Sequence, residues 1–76
     1  MTRIETAEAI ASKINADGRA TANVWTRNEI DAVRVYVNRE LSRGRMQECG
    51  YYDVDHDGVS SHITRNRAHF DRIVAL

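Results

Sequence analysis

Across residues 20–64 apolar and polar side chains alternate, and this period of two constrains the chain more than any other feature in it. In Ala32-Val33-Arg34-Val35-Tyr36-Val37 the three valines take one parity, and Arg34 and Tyr36 take the other. Successive side chains of a strand point to opposite faces, so such alternation marks a half-buried β-strand. The pattern predicts a sheet with one face in a core and the other carrying aromatic and arginine side chains.

The flanking segments complete a fold. Thr2-Arg3-Ile4-Glu5 reads as a capping box, in which the Thr2 hydroxyl and the Glu5 carboxylate satisfy otherwise unpaired amides. Ile4, Ala7, Ala11 and Ile14, with Ile10 beside them, form one helical stripe, and Asp17-Gly18 supplies a stop. Four strands are predicted at 20–26, 32–38, 50–55 and 59–64. In the first, Ala22 and Val24 point inward and Asn23 and Trp25 outward. Arg27-Asn28-Glu29 is read as a turn, residues 39–47 as a polar loop around Gly44, and Asp57-Gly58 as a hairpin signal. Asn66 would cap a short C-terminal helix using Phe70, Ile73, Val74 and Leu76. The expected fold class is α+β: an N-terminal helix packed on a four-stranded antiparallel β-meander, with a short C-terminal helix, all in one domain spanning 1–76. A competing pattern exists. Ile30, Val33, Val37 and Leu41 also match helical spacing, which would make residues 29–43 a helix. Val35 and Tyr36 would then point away from the apolar stripe, and this favours the strand.

With 76 residues the chain has room for one modest core, and domains this small bury only about 60% of the surface their unfolded chains expose. A partner or a second copy covering the open face would add burial. The formal net charge is zero, so bulk electrostatics selects neither nucleic acid nor membrane. Residues 34–45 hold four arginines and one glutamate, and Asp53, Asp55 and Asp57 follow as an acidic cluster. Cys49 stands alone, which rules out an internal disulfide framework and points to a reducing compartment. No run is apolar and long enough to span a membrane, and no signal segment is recognisable. The expected location is the cytoplasm.

Chemical motifs are weak. Asp53-Val54-Asp55-His56-Asp57-Gly58 has the alternating oxygen ligands and glycine that open a calcium-binding EF-hand loop, but Thr64 stands where the closing glutamate belongs. His56, His62 and His69 fit no zinc spacing with the single cysteine. Cys49 with His62 lacks an orienting third group, and Ser42-Arg43-Gly44-Arg45 is too short for a phosphate loop. No enzyme activity, metal or cofactor is expected.

The outward face is the most informative surface, since Trp25, Arg34, Tyr36, Tyr51 and His62 share its parity. Interleaved aromatics and arginine serve protein interfaces as hot spots and single-stranded nucleic acids as stacking platforms. They would equally form a second small core if Phe70 and Ile73 folded over Trp25. Arg39, Arg43 and Arg45 in the polar segment are candidates for pairing with acidic groups or phosphates on a partner. Asp53, Asp55 and Asp57 are candidates for pairing with a basic one.

Asn23-Val24-Trp25-Thr26, Val33-Arg34-Val35-Tyr36-Val37 and Cys49-Gly50-Tyr51-Tyr52-Asp53 together resemble the meander of small phage- and prophage-encoded proteins, among them anti-CRISPR proteins. The resemblance spans residues 20–60 and lies in strand style, with no diagnostic motif. It implies a stand-alone inhibitor that binds a bacterial effector complex stoichiometrically and occludes a site on it, in the host cytosol. The expected partner-binding residues are Trp25, Arg34, Tyr36 and Tyr51 on the sheet, Arg39, Arg43 and Arg45 in the loop, and Asp53, Asp55 and Asp57 in the acidic cluster. The alternatives are a small nucleic-acid-binding or regulatory protein using the same face, and a homodimer paired through sheet edges or faces.

Overall fold

Thr2 opens the first element as its sequence requires: its Oγ1 accepts from the Glu5 amide and its own amide donates to Glu5 Oε1, both at 3.1 Å. This capping box starts helix α1, Arg3–Asp17, and Gly18 ends it in the left-handed conformation at φ 78°. The structure, a computed structural model, describes residues 2–64. Strands β1 (Thr21–Arg27), β2 (Ala32–Ser42), β3 (Arg45–Asp55) and β4 (Gly58–Ile63) follow, with a single 3-10 turn, Asn28–Ile30, between the first two. They form one antiparallel sheet in the order β1-β2-β3-β4. The α+β class and the four-stranded meander are as predicted. The expected C-terminal helix, with Asn66, Phe70, Ile73, Val74 and Leu76, lies outside the described residues, as does His69.

α1 packs on one face of the sheet, against β1, β2 and β3. Its contact residues Ala7, Ala11 and Ile14 are buried, and they meet Ala22, Val33, Val35, Val37, Tyr52 and Val54 from the strands. The two alanines let the helix backbone come close to the sheet, and Ile10, Ala20 and Val24 fill the margins. Ile4, placed on the same stripe by spacing, is 47% exposed. The strand reading of residues 32–38 holds, and the helical alternative for 29–43 does not: Val33, Val35 and Val37 are all buried on β2.

One stretch differs from expectation. Residues 39–47 are not a loop but the far halves of β2 and β3, paired as Arg39↔Gln47 and Glu40↔Met46. A two-residue turn, Arg43-Gly44, joins Ser42 to Arg45, with Gly44 at φ 77° and its amide donating to Glu40 Oε1 at 3.0 Å. The hydrogen-bond ladder carries this arm rather than an apolar face, so the pattern that reveals strands elsewhere is missing. The pairing also shifts between Val37 and Asn38, where Cys49 is the extra residue in β3 and is buried in the core.

The other end of the sheet is tied by ionic contacts. Arg3 reaches from α1 to the Asp31 carboxylate at 2.5 Å and the Asp31 carbonyl at 2.9 Å. His56, in the turn between β3 and β4, lies 3.0 Å from the same carboxylate. Asp31 itself sits at φ 50°, ψ 43°, a left-handed conformation that asparagine and aspartate tolerate best after glycine. The His56 contact first, and Arg3 second, hold the Asp31 carboxyl below its ordinary 3.8. A carboxyl lowered on folding stabilises the fold above its unfolded value, and that contribution disappears as pH falls through the folded value. Thermal unfolding at pH 7 is therefore expected to rank wild type above Asp31→Asn, which keeps the backbone preference, and Asp31→Asn above Asp31→Ala, which loses both. The gap between wild type and Asp31→Asn should close as pH drops below 3.8; a gap independent of pH would refute the ionic role.

Candidate functional site

The face of the sheet opposite α1 is built by register. Two transverse rows cross the strands: Asn23, Tyr36, Tyr51 and His62 are successive cross-strand partners in one, and Trp25, Arg34, Asp53 and Ser60 in the other. The outward placement of Trp25, Arg34, Tyr36, Tyr51 and His62 follows from the same parity that buries Val33, Val35 and Val37. Among the described residues no element lies over this face.

Within it the rings form a continuous chain. Trp25 meets Tyr36 edge-on with centroids 6.2 Å apart, Tyr36 meets Tyr51 at 5.7 Å, and Tyr51 stacks on His62 at 4.8 Å with an interplanar angle of 18°. Edge-on and offset geometries suit the quadrupoles of aromatic rings. The guanidinium of Arg34 lies 3.9 Å from the centroid of Tyr51, and within 6 Å of the rings of Tyr36 and Trp25. At that distance it gains cation–π attraction from the Tyr51 ring.

Arg34 is also fixed in its own plane. Its Nε donates to Asp53 Oδ1 at 2.7 Å, Nη2 to Asp53 Oδ2 at 3.4 Å, and Nη1 to the Tyr36 hydroxyl at 3.1 Å. The Asp53 hydrogen bonds first, and the Tyr36 hydroxyl second, hold the guanidinium charged even more firmly than usual. His62 Nε2 completes the cluster, 3.3 Å from Asp53 Oδ2. Both charged side chains are about three-quarters buried, 27% exposed for Arg34 and 24% for Asp53. A fork-to-fork pair of this kind orients as well as attracts.

The remaining predicted residues do not join this cluster. Arg39 has the opposite parity, toward the α1 side, and its Nε is buried with no hydrogen-bond partner among the described residues. Arg43 lies in the β2–β3 turn and Arg45 begins β3, so the expected arginine loop is instead the tip of a hairpin. Asp55 ends β3 and Asp57 lies in the turn before β4, at the opposite end of the sheet from Arg43. Asp53 is not part of an acidic tip: it is a mid-strand residue whose carboxylate serves Arg34. No group of three or more potential metal ligands is gathered among the described residues. Cys49 is buried, and burial pushes its thiol above the ordinary range; His62 is on the other side of the sheet, so the two do not pair.

The contribution of Asp53 to the face was not read from the sequence. The signal was present, since Arg34 and Asp53 share the outward parity, but it becomes visible only once Arg34↔Asp53 pairing is known. Electrostatically the face is nearly neutral to acidic. Arg34 is matched by Asp53, Arg27 at the end of β1 lies 3.7 Å from Glu29, and Glu48, opposite Asn38, continues the outward parity.

Comparison of the chain with known protein families, curated proteins and solved structures returned no match. No helix among the described residues is long and apolar enough to cross a membrane.

Removing the Asp53 carboxylate strands a charge that is only partly solvated, so Asp53→Ala should destabilise the fold by about 1–2 kcal/mol, the buried-pair penalty discounted for exposure. Arg34→Met keeps an apolar stem over Tyr51 and removes the charge. In urea unfolding, the double variant should be more stable than the sum of the single effects by about 1 kcal/mol. Strict additivity would mean that the pair contributes no coupling.

Proposed function

We propose that this chain is a non-catalytic protein-binding module whose contact surface is the aromatic face of its sheet. The observation that carries this reading is Arg34, held by Asp53 and Tyr36 and lying on Tyr51, at the centre of a chain of rings that no described element covers. Binding energy at protein interfaces concentrates in tryptophan, tyrosine and arginine near the centre of the contact. Side chains already fixed in the free protein lose less conformational freedom on association. A neutral-to-acidic face suits a protein partner better than a nucleic acid, because nucleic-acid affinity rests on cations that neutralise phosphates. The one central guanidinium is already neutralised by Asp53.

The resemblance of the strands to small phage-encoded anti-defence proteins supplies the partner class: a bacterial defence effector, inhibited by stoichiometric occlusion in the host cytosol. Neither a cofactor nor turnover is required by such a role, and the shielded Cys49 thiol is unsuited to nucleophilic work.

Trp25→Ala and Tyr51→Ala separate recognition from folding, because both rings lie on the face away from α1. With the wild-type chain as bait, a bacterial effector complex should be retained from lysate, and each variant should weaken its measured affinity by about 30-fold or more, the hot-spot range. Circular dichroism should show the sheet intact in both variants. Titrating the protein into an effector cleavage assay should give inhibition that saturates at a fixed ratio. Retention unaffected by either variant, or salt-dependent binding to single-stranded DNA or RNA alone, would overturn this reading.

A further inference from the structure

The two edges of the sheet are treated differently by the fold. At β1 the side chain of Asn15, from the last turns of α1, occupies the outward backbone groups of Ala22: it donates to the Ala22 carbonyl at 3.1 Å and accepts from the Ala22 amide at 2.8 Å. A carboxamide placed in this way imitates the next strand and closes the edge at that point. No described side chain does the same at β4.

The phase of the β4 edge is set by its pairing. Thr64 donates its amide to the Cys49 carbonyl at 3.0 Å, so in an antiparallel ladder His62, Ser60 and Gly58 turn their backbone groups toward β3. Val59, Ser61 and Ile63 then direct theirs outward. Every residue of β4 is exposed, and the strand Gly58-Val59-Ser60-Ser61-His62-Ile63 contains no lysine, acidic residue or proline. These are the devices by which sheet edges are normally kept from pairing. Val59 and Ile63 also present apolar side chains on the α1 side of the sheet, 48% and 36% exposed, where the helix does not reach.

We propose that β4 is a dimerisation edge that pairs antiparallel with β4 of a second copy of this chain about a two-fold axis at Ser61. In this register Ser61 faces Ser61 of the other copy, and Val59 of each faces Ile63 of the other. The three outward-facing residues of each strand then bond only to one another. Each apolar side chain meets an apolar partner beside the axis, and on the opposite face each His62 meets a Ser60. No like charges are brought together. The register is self-complementary, as a two-fold contact requires, and this is why a second copy is favoured over an unrelated strand. The product is one eight-stranded sheet in which two aromatic faces lie side by side. This surface is separate from the face proposed above, so either can stand without the other.

Ser61 lies on the axis and is exposed, so a charge there reads the interface without touching the core. The full chain is measured by sedimentation and light scattering over a broad concentration range, against a monomer mass of 8.7 kDa. The wild type should form a concentration-dependent dimer. Ser61→Lys and Ser61→Asp should each raise its dissociation constant at least tenfold, and an equimolar mixture of the two should restore dimers. Circular dichroism and thermal unfolding of each variant establish that it is folded. A wild type that stays monomeric throughout overturns the proposal. So do a dimer that survives both substitutions and a mixture that fails to reassociate.

Discussion

The burial of Val33, Val35 and Val37 beneath Ala7, Ala11 and Ile14 is the constraint on which the rest of the molecule depends. With these valines inward, Arg34 and Tyr36 have no choice of face, because the side-chain period of a strand is two. Register then carries the decision to both neighbours: Val24 and Tyr52 sit against Val35 on the core side, while Trp25 and Asp53 sit against Arg34 on the open one. A slip of one residue would drive a guanidinium and a phenol into the core and expose the valines. The hydrophobic pattern therefore fixes the chemical face as firmly as it fixes the core. Small residues on α1 matter for the same reason, since a bulkier helix face would hold the sheet away and loosen the valine contacts.

Arg34 organises what that constraint delivers. An arginine among rings on an open sheet would ordinarily sample several rotamers and present a mobile charge. Here Asp53 takes one edge of the guanidinium, the Tyr36 hydroxyl takes another nitrogen, and Tyr51 supports the plane. The layer is thus a partly solvated network with its own internal order, and it adds lateral ties between β2 and β3 beyond the backbone ladder. The same matching of charges lowers the attraction of the face for phosphates. A partner of the kind proposed above would gain from apolar and π surface and from the edges of fixed polar groups.

How much of this was legible in the sequence depends on how each element is stabilised. α1 announces itself through Thr2, Glu5 and Gly18 because its ends are satisfied by its own side chains. The central parts of β2 and β3 announce themselves through valine and tyrosine alternation. Residues 39–47 give no such sign: Arg39, Glu40, Gln47 and Glu48 are polar on both parities, and their pairing rests on backbone hydrogen bonds and on Gly44 at the turn. The irregularity at Cys49 hides the register further, since it breaks the alternation where the two halves of β3 join. The aromatic face was readable, because parity alone places its rings. Its ionic centre was not, because Asp53 reaches Arg34 only through a pairing between segments 19 residues apart. Grouping Asp53 with Asp55 and Asp57 followed their closeness in sequence, whereas the strand sends them to different surroundings.

A single helix on a four-stranded sheet also has a geometric consequence. A helix with its side chains is about 10–12 Å across, while four strands at about 4.8 Å spacing make a wider layer. α1 covers β1, β2 and β3 and stops short of β4, so Val59 and Ile63 keep the inward parity without an interior to enter. Moving the helix toward β4 would uncover Ala22 and release the Asn15 contact that closes β1, exchanging one open edge for another. Deleting β4 would remove His62 from Tyr51 and Asp53, and the ring chain would lose its end. The fourth strand thus supplies the last ring of the open face, and the exposed edge follows from the width of the sheet rather than from any defect in the core.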